Sequence, residues 1–162
     1  MPVSVLFVCL GNICRSPAAE GVFQHWVQSR GLQDRIVVDS AGTSSFHIGE
    51  PADRRMIEAA RERGYELTSR SRQAVSRDYQ RFDRIIAMDR NNYRELAKLF
   101  GEPSSKLRLL SDYLDDSWPR EVPDPYYGES DGFRYVLEML EAAAPRILDD
   151  LTAIDAARST GA

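Results

Sequence analysis

Val5-Leu-Phe-Val-Cys9-Leu-Gly-Asn-Ile-Cys14-Arg15-Ser16-Pro17 decides how this chain is read. An apolar run meets a cysteine, five residues intervene before Arg15, and a hydroxyl and a proline follow. Uninterrupted apolar character from Val5 to Leu10 suits a strand buried on both faces, as in a parallel sheet. Gly11 and Asn12 tolerate left-handed backbone better than other residues, so the loop can curl and turn successive N–H groups inward as an anion nest. Ser16 is expected to cap a helix that opens at Pro17 and aims its positive end into the same cup. Arg15 adds a planar fork of donors matched to two phosphate oxygens. A negative sulfur at Cys9 would face only donors, so the loop joins a nucleophile to a landing site for phosphate.

Working outward, strand and helix signals alternate. Ser4–Cys9 reads as a strand, Pro17–Arg30 as a helix closed by Gly31, and Ile36–Ser40 as a second strand. Gly42–Gly49 is a loop of small and hydroxyl residues, and Pro51–Arg63 a helix stopped by Gly64. A short helix is expected near Ser76, then the strand Arg84–Met88, a helix Asn91–Phe100 ended by Gly101, and the strand Leu107–Leu110. The segment Ser111–Asp131 is polar, aromatic and proline-punctuated, with little periodicity. Ser130–Leu151 carries Phe133, Val136, Leu140, Ile147 and Leu151 on one helical face, with Pro145 inside it. Residues 152–162 are small and polar and are expected to fray, leaving one domain over residues 1–151. Such alternation predicts an α/β fold: a four-stranded parallel twisted sheet, Rossmann-like, with helices on both faces and ligands at the carboxyl ends of the strands. The Cys9 loop and the loops after Ser40, Met88 and Leu110 all emerge at that edge.

Composition narrows the function classes. At 162 residues and 43% hydrophobic, the chain can bury roughly two-thirds of its unfolded surface in one core. The charge balance is −4 without blocks of like charge, which argues against nucleic acid or an anionic membrane as main partner. No apolar run approaches the length of a membrane span, and no basic segment precedes an apolar one at the N-terminus. Two cysteines do not make a disulfide scaffold, and a cytoplasmic setting is expected. No His/Cys/Asp cluster has metal-ligand spacing, so neither metal nor other cofactor is expected.

A thiolate that attacks a phosphate ester must expel an alkoxide or phenolate, which leaves readily only when protonated. Asp124, in Asp124-Pro125-Tyr126-Tyr127-Gly128, is the best-placed acid: it follows the last strand, and Pro125 restricts it to extended geometry. Asp112, Asp115, Asp116 and Asp131 are alternative carboxylates nearby. Together with Asp39-Ser40-Ala41-Gly42, Arg72-Gln73, Phe82-Asp83 and Met88-Asp89, these segments resemble the low-molecular-weight protein tyrosine phosphatases, from about Val3 to Leu151.

The resemblance implies the phosphotyrosine phosphatase I fold and a two-step hydrolysis of tyrosine-phosphorylated proteins, with inorganic phosphate as product. Cys9 would form a phosphocysteine, and Asp124 would serve first as acid and then as base. Arg15 and the loop from Leu10, Gly11, Asn12 and Ile13 to Cys14 would hold the phosphoryl oxygens. Ser16 would donate to the sulfur. Substrate selection would fall to Phe46 with His47 and Tyr126 with Tyr127, with Leu10 and Ile13 completing an apolar slot for a phenyl ring. The chain departs from the family at Ser69, where many members carry a histidine tied to the phosphate loop. Cys14 reads either as a small apolar filler or as a thiol that captures an oxidised Cys9. Thiol-dependent arsenate reductases share the loop but need further cysteines, which residues 80–100 lack. Protein-arginine phosphatases typically carry threonine at the position of Ile13 and lack the paired tyrosines.

Overall fold

The computed structural model describes residues 1–101, 105–128 and 130–160, without the side chains of Tyr127 and Ser130. Four parallel strands run in the order β2-β1-β3-β4: β1 (Val3–Cys9), β2 (Ile36–Gly42), β3 (Arg84–Ala87) and β4 (Leu107–Leu109). β1 is central, pairing Val3 with Ile36 through Cys9 with Gly42 on one side and Val5–Val8 with Arg84–Ala87 on the other. Its unbroken apolar character follows from this position. Val3, Val5, Phe7 and Cys9 face one core, and Leu6 and Val8 face the other. The first core is closed by α1 (Arg15–Ser29), α2 (Arg54–Glu62) and α5 (Ser130–Thr160). The second is closed by α3 (Asp78–Arg81) and α4 (Arg90–Phe100), through Phe82, Leu96 and Phe100. From β1 the chain crosses to β2 on one side and later to β3 on the other, so the strand order reverses where the Cys9 loop leaves the sheet.

The expected α/β architecture is the observed one, with shifts at element ends that have local physical causes. α1 opens at Arg15, so Ser16 lies inside its first turn and makes no capping bond. α2 opens at Arg54 rather than Pro51 because the Asp53 carboxylate accepts from the Arg55 amide and caps it there. β4 ends at Leu109, where the Asp112 carboxylate takes the Leu109 amide and bends the chain into a 3-10 turn over Leu110–Tyr113. α5 continues through Thr160 instead of fraying after Leu151. Ile154 extends its apolar stripe against the core, and Asp155 accepts two hydrogen bonds from Arg35 at 2.7 and 2.9 Å.

Candidate active site

The loop between β1 and α1 is held open from outside by its own carbonyls. The oxygens of Cys9 and Leu10 accept from the amides of Thr43 and Ser44, each at 2.9 Å. Gly11 O accepts from Ser71 Oγ at 2.9 Å, Ile13 O from the Asp53 amide at 2.7 Å, and Cys14 O from the Ala18 amide at 3.2 Å. With those carbonyls turned outward, no backbone N–H from residues 10–15 donates to a protein acceptor among the described residues. A concave row of donors at a helix N-terminus is an anion nest. The left-handed residue in the curl is Asn12, at φ 56°, and not Gly11. Gly11 serves close approach instead, since a Cβ there would stand 2.9 Å from His47 Cδ2. Gly42 has the same role across the sheet edge, where a Cβ would stand 2.7 Å from Leu10 O.

Behind the nest lies a buried polar chain. Ser16 Oγ is 3.0 Å from Cys9 Sγ. Asn12 Nδ2 donates to Ser16 Oγ at 2.8 Å and to Ser40 Oγ at 3.0 Å, while Asn12 Oδ1 accepts from the Arg72 amide at 3.0 Å. Both donors and the acceptor of Asn12 are therefore satisfied, which holds its strained backbone in place. Ser40 Oγ donates to Glu20 Oε1 at 2.5 Å, and Ser69 also hydrogen-bonds that carboxylate. Burial pushes the Glu20 carboxyl up, and the two serines only partly offset it. Ser69, at the position where the family often carries histidine, thus joins the chain as a neutral partner.

Arg15 is 3% exposed and stretched toward the mouth of the loop. Its Nη1 donates to Asp89 Oδ2 at 2.6 Å and to Val122 O at 3.1 Å, and its Nη2 lies 3.5 Å from Asp124 Oδ2. Burial works against the guanidinium charge. The Cys9 sulfur, Asp89 and Asp124 outweigh it and raise the Arg15 pKa above its ordinary value. Burial also pushes the Cys14 thiol far above the usual cysteine range, helped by Asp53, Cys9 and Asp124, so Cys14 is a neutral thiol. Asp124 opens a 3-10 turn over Pro125–Tyr127 and accepts from the Tyr126 amide at 3.0 Å.

These groups meet in one cavity of about 300 Å³ lined by Cys9, Leu10, Gly11, Ile13, Cys14, Arg15, Ser44, Phe46, His47, Asp124 and Tyr126. Asn12 and Ser16 stand behind it. The Phe46 ring packs edge-on against His47 at 5.0 Å and is itself 84% exposed, and His47 is tied to Glu50. The side chain of Tyr127, expected to wall the slot, lies outside the described residues. Larger clefts open elsewhere, one between α1 and residues 64–69. Among the described residues, only the cavity at Cys9 brings a thiol, an arginine and a carboxylate together. No group of three or more His, Cys, Asp or Glu side chains is placed to share a metal ion among the described residues. No helix among them is long and apolar enough to cross a membrane.

Asp89, Ser40, Ser71 and Arg72 enter the site without having been given roles from sequence. Ser40, Arg72 and Asp89 lie in segments that carry the family resemblance, and Asp89 also follows a strand's carboxyl end, where it caps α4 by accepting from the Asn92 amide at 2.7 Å.

The family model described as low molecular weight phosphotyrosine protein phosphatase matches residues 4–157. A low molecular weight protein-tyrosine-phosphatase of Streptomyces coelicolor is 42% identical over 152 residues, covering 91% of this chain and 93% of its own length. The crystal structure of a protein tyrosine phosphatase from Entamoeba histolytica superposes with a TM-score of 0.89 at 43% identity, covering 94% of this chain and 99% of that one. A Drosophila arginine phosphatase structure superposes at 0.82 with 34% identity, over 90% and 96% of the two chains. With a matching model over nearly its full length and relatives this similar, the chain belongs to the low molecular weight phosphotyrosine protein phosphatase family.

Proposed function

We propose that this protein hydrolyses phosphotyrosine monoesters on proteins through a phosphocysteine intermediate. The Cys9 thiolate attacks phosphorus while the bond from phosphorus to the phenolic oxygen breaks, and Asp124 gives that oxygen its proton. The Asp124 carboxylate then takes a proton from water, whose oxygen attacks phosphorus. The P–S bond breaks, thiolate is regenerated, and inorganic phosphate leaves. The equatorial oxygens are held by the loop amides and Arg15, donors already oriented before the charge develops. Ser16 donates to the sulfur as it departs. The observation that carries this reading is the convergence of a donor-lined loop, a thiol 3.0 Å from a buried hydroxyl, and a carboxylate 3.5 Å from Arg15 in a single cavity.

The phenol is favoured over aliphatic or guanidinium leaving groups by Phe46, Leu10, Ile13 and Tyr126 around the mouth. Ile13 gives an apolar wall where a guanidinium would need a hydrogen-bond partner. The test is a panel of phosphotyrosine, phosphoserine and phosphoarginine peptides, with Cys9→Ser as control. Phosphotyrosine is expected to lead in kcat/KM by about 100-fold or more. Preference for phosphoarginine, or turnover by Cys9→Ser, would overturn the reading.

A further inference from the structure

We propose that Arg55, on α2 and outside the cavity lining, is a positioning residue that sets where the Asp124 carboxyl stands over the phosphate loop. This rests on the reading of Asp124 as the acid. Arg55 grips Asp53 with two donors, Nε to Oδ1 at 3.1 Å and Nη2 to Oδ2 at 3.0 Å. The Asp53 amide in turn binds Ile13 O, so this end of α2 is anchored to the phosphate loop. On its other side Nη2 donates to Tyr126 O at 3.0 Å. The guanidinium carbon lies 5.4 Å from the Tyr126 ring centre and 4.8 Å from that of Phe133 on α5. Tyr126 is the residue whose amide holds Asp124 Oδ1. One planar cation therefore joins the loop that binds phosphate, the turn that carries the acid, and the helix behind that turn.

Arginine suits the task because it has enough donors in one plane to bond a carboxylate and a carbonyl while its faces stack on rings. Lysine cannot do all of this at once. The Arg55 side chain is 47% exposed, so replacing it leaves the core intact. What changes is the freedom of the turn, and with it the share of encounters in which the carboxyl reaches the leaving oxygen.

The measurement is kcat/KM for aryl phosphates of rising leaving-group basicity, in Arg55→Met, Arg55→Lys, Asp124→Asn and the Arg55→Met/Asp124→Asn double variant. Phosphate inhibition is measured alongside. Removing a general acid costs about 100-fold or more on phenyl phosphate and much less on an activated nitrophenyl ester. Arg55→Met is expected to cost about tenfold on phenyl phosphate and less than about twofold on the nitrophenyl ester. Arg55→Lys should fall between, and the double variant should lose no more than Asp124→Asn alone. The phosphate inhibition constant should stay within about twofold throughout.

Equal losses on both esters in Arg55→Met, or additivity with Asp124→Asn, would show that Arg55 does not act through the acid. Weakened phosphate inhibition in step with kcat/KM would place its action in the phosphate loop through Asp53 and equally overturn the proposal. If Asp124→Asn itself affects both esters alike, it is the acid reading that fails, whatever Arg55 does.

Discussion

Replacing Asp89 separates two tasks performed by one carboxylate. Oδ2 accepts from Arg15 Nη1 at 2.6 Å, and Oδ1 caps α4 by accepting from the Asn92 amide at 2.7 Å. Asparagine keeps a capping oxygen but loses the charge, whereas alanine loses both. Breaking a buried pair costs about 3–5 kcal/mol when the surviving charge has no other partner. Arg15 retains Val122 O at 3.1 Å and Asp124 at 3.5 Å, and Asp89 itself is 21% exposed. The loss should therefore fall near the strength of a single charge-assisted hydrogen bond, about 2 kcal/mol for Asp89→Asn. A lost cap adds about 1 kcal/mol, so Asp89→Ala should cost about 3 kcal/mol. Urea unfolding at neutral pH measures both, provided the slope is unchanged. In kcat/KM the two variants should instead fall together, by about tenfold or more, because each loses the anion that aims Arg15. Equal stability of the two variants would refute the capping task. A loss under about 0.5 kcal/mol in Asp89→Ala would mean that the pair behaves as a surface contact.

Other outcomes follow from the same geometry. Phe46→Ala should raise KM for aryl phosphates about fivefold with kcat unchanged, as expected for an aromatic contact made equally in ground and transition states. A kcat loss at constant KM would contradict it. Burial pushes the Asp150 carboxyl up, but Arg84 and Tyr113 hydrogen bonds overcome it and hold it below the ordinary carboxylate range. A depressed carboxyl stabilises the fold above its unfolded pKa and loses that contribution as pH falls through the folded value. Asp150→Asn should thus cost about 1 kcal/mol at neutral pH, allowing for solvent screening, with the gap to wild type closing below about pH 3. A gap that is constant with pH would refute the assignment. Cys9 and Cys14 are both free and buried. Peroxide inactivation should be reversed by added thiol in the wild type and become largely irreversible in Cys14→Ser, while equal recovery would make Cys14 a filler.

The fold was legible because its decisive strand is apolar on both faces, and only a central parallel strand between two cores needs that pattern. The cysteine loop was legible for a related reason: a nest, a fork and a helix start are all local. What escaped was whatever depends on convergence. Asp89, Val122 and the Asp53–Arg55 pair reach the site from three separate segments, and no spacing along the chain encodes their meeting. Ser16 is not the cap that its place before Pro17 suggests, because α1 starts one residue before it and its hydroxyl faces sulfur. The end of α5 is hidden in the sequence because small polar residues surround Ile154 and Asp155, whose contacts with the core and with Arg35 exist only once the sheet is formed.

Burial divides the site into parts that should respond differently to mutation. Cys9, Asn12, Arg15 and Ser16 are at most 3% exposed, whereas Leu10 is 43% and Phe46 84% exposed. Electrostatic stabilisation of a transition state is effective when the donors need no reorganisation, and buried groups with saturated hydrogen bonds meet that condition. Apolar recognition works in the opposite way, since its free energy comes from surface that is wet before the substrate arrives and dry afterwards. A phenyl ring would cover the exposed collar of Phe46 and Leu10, while an aliphatic phosphoester would leave most of it in water. Substitutions in the buried cup should therefore move kcat and those in the collar should move KM. Under the proposed function, the ring would be selected at the rim and the phosphate at the floor, by separate physical means.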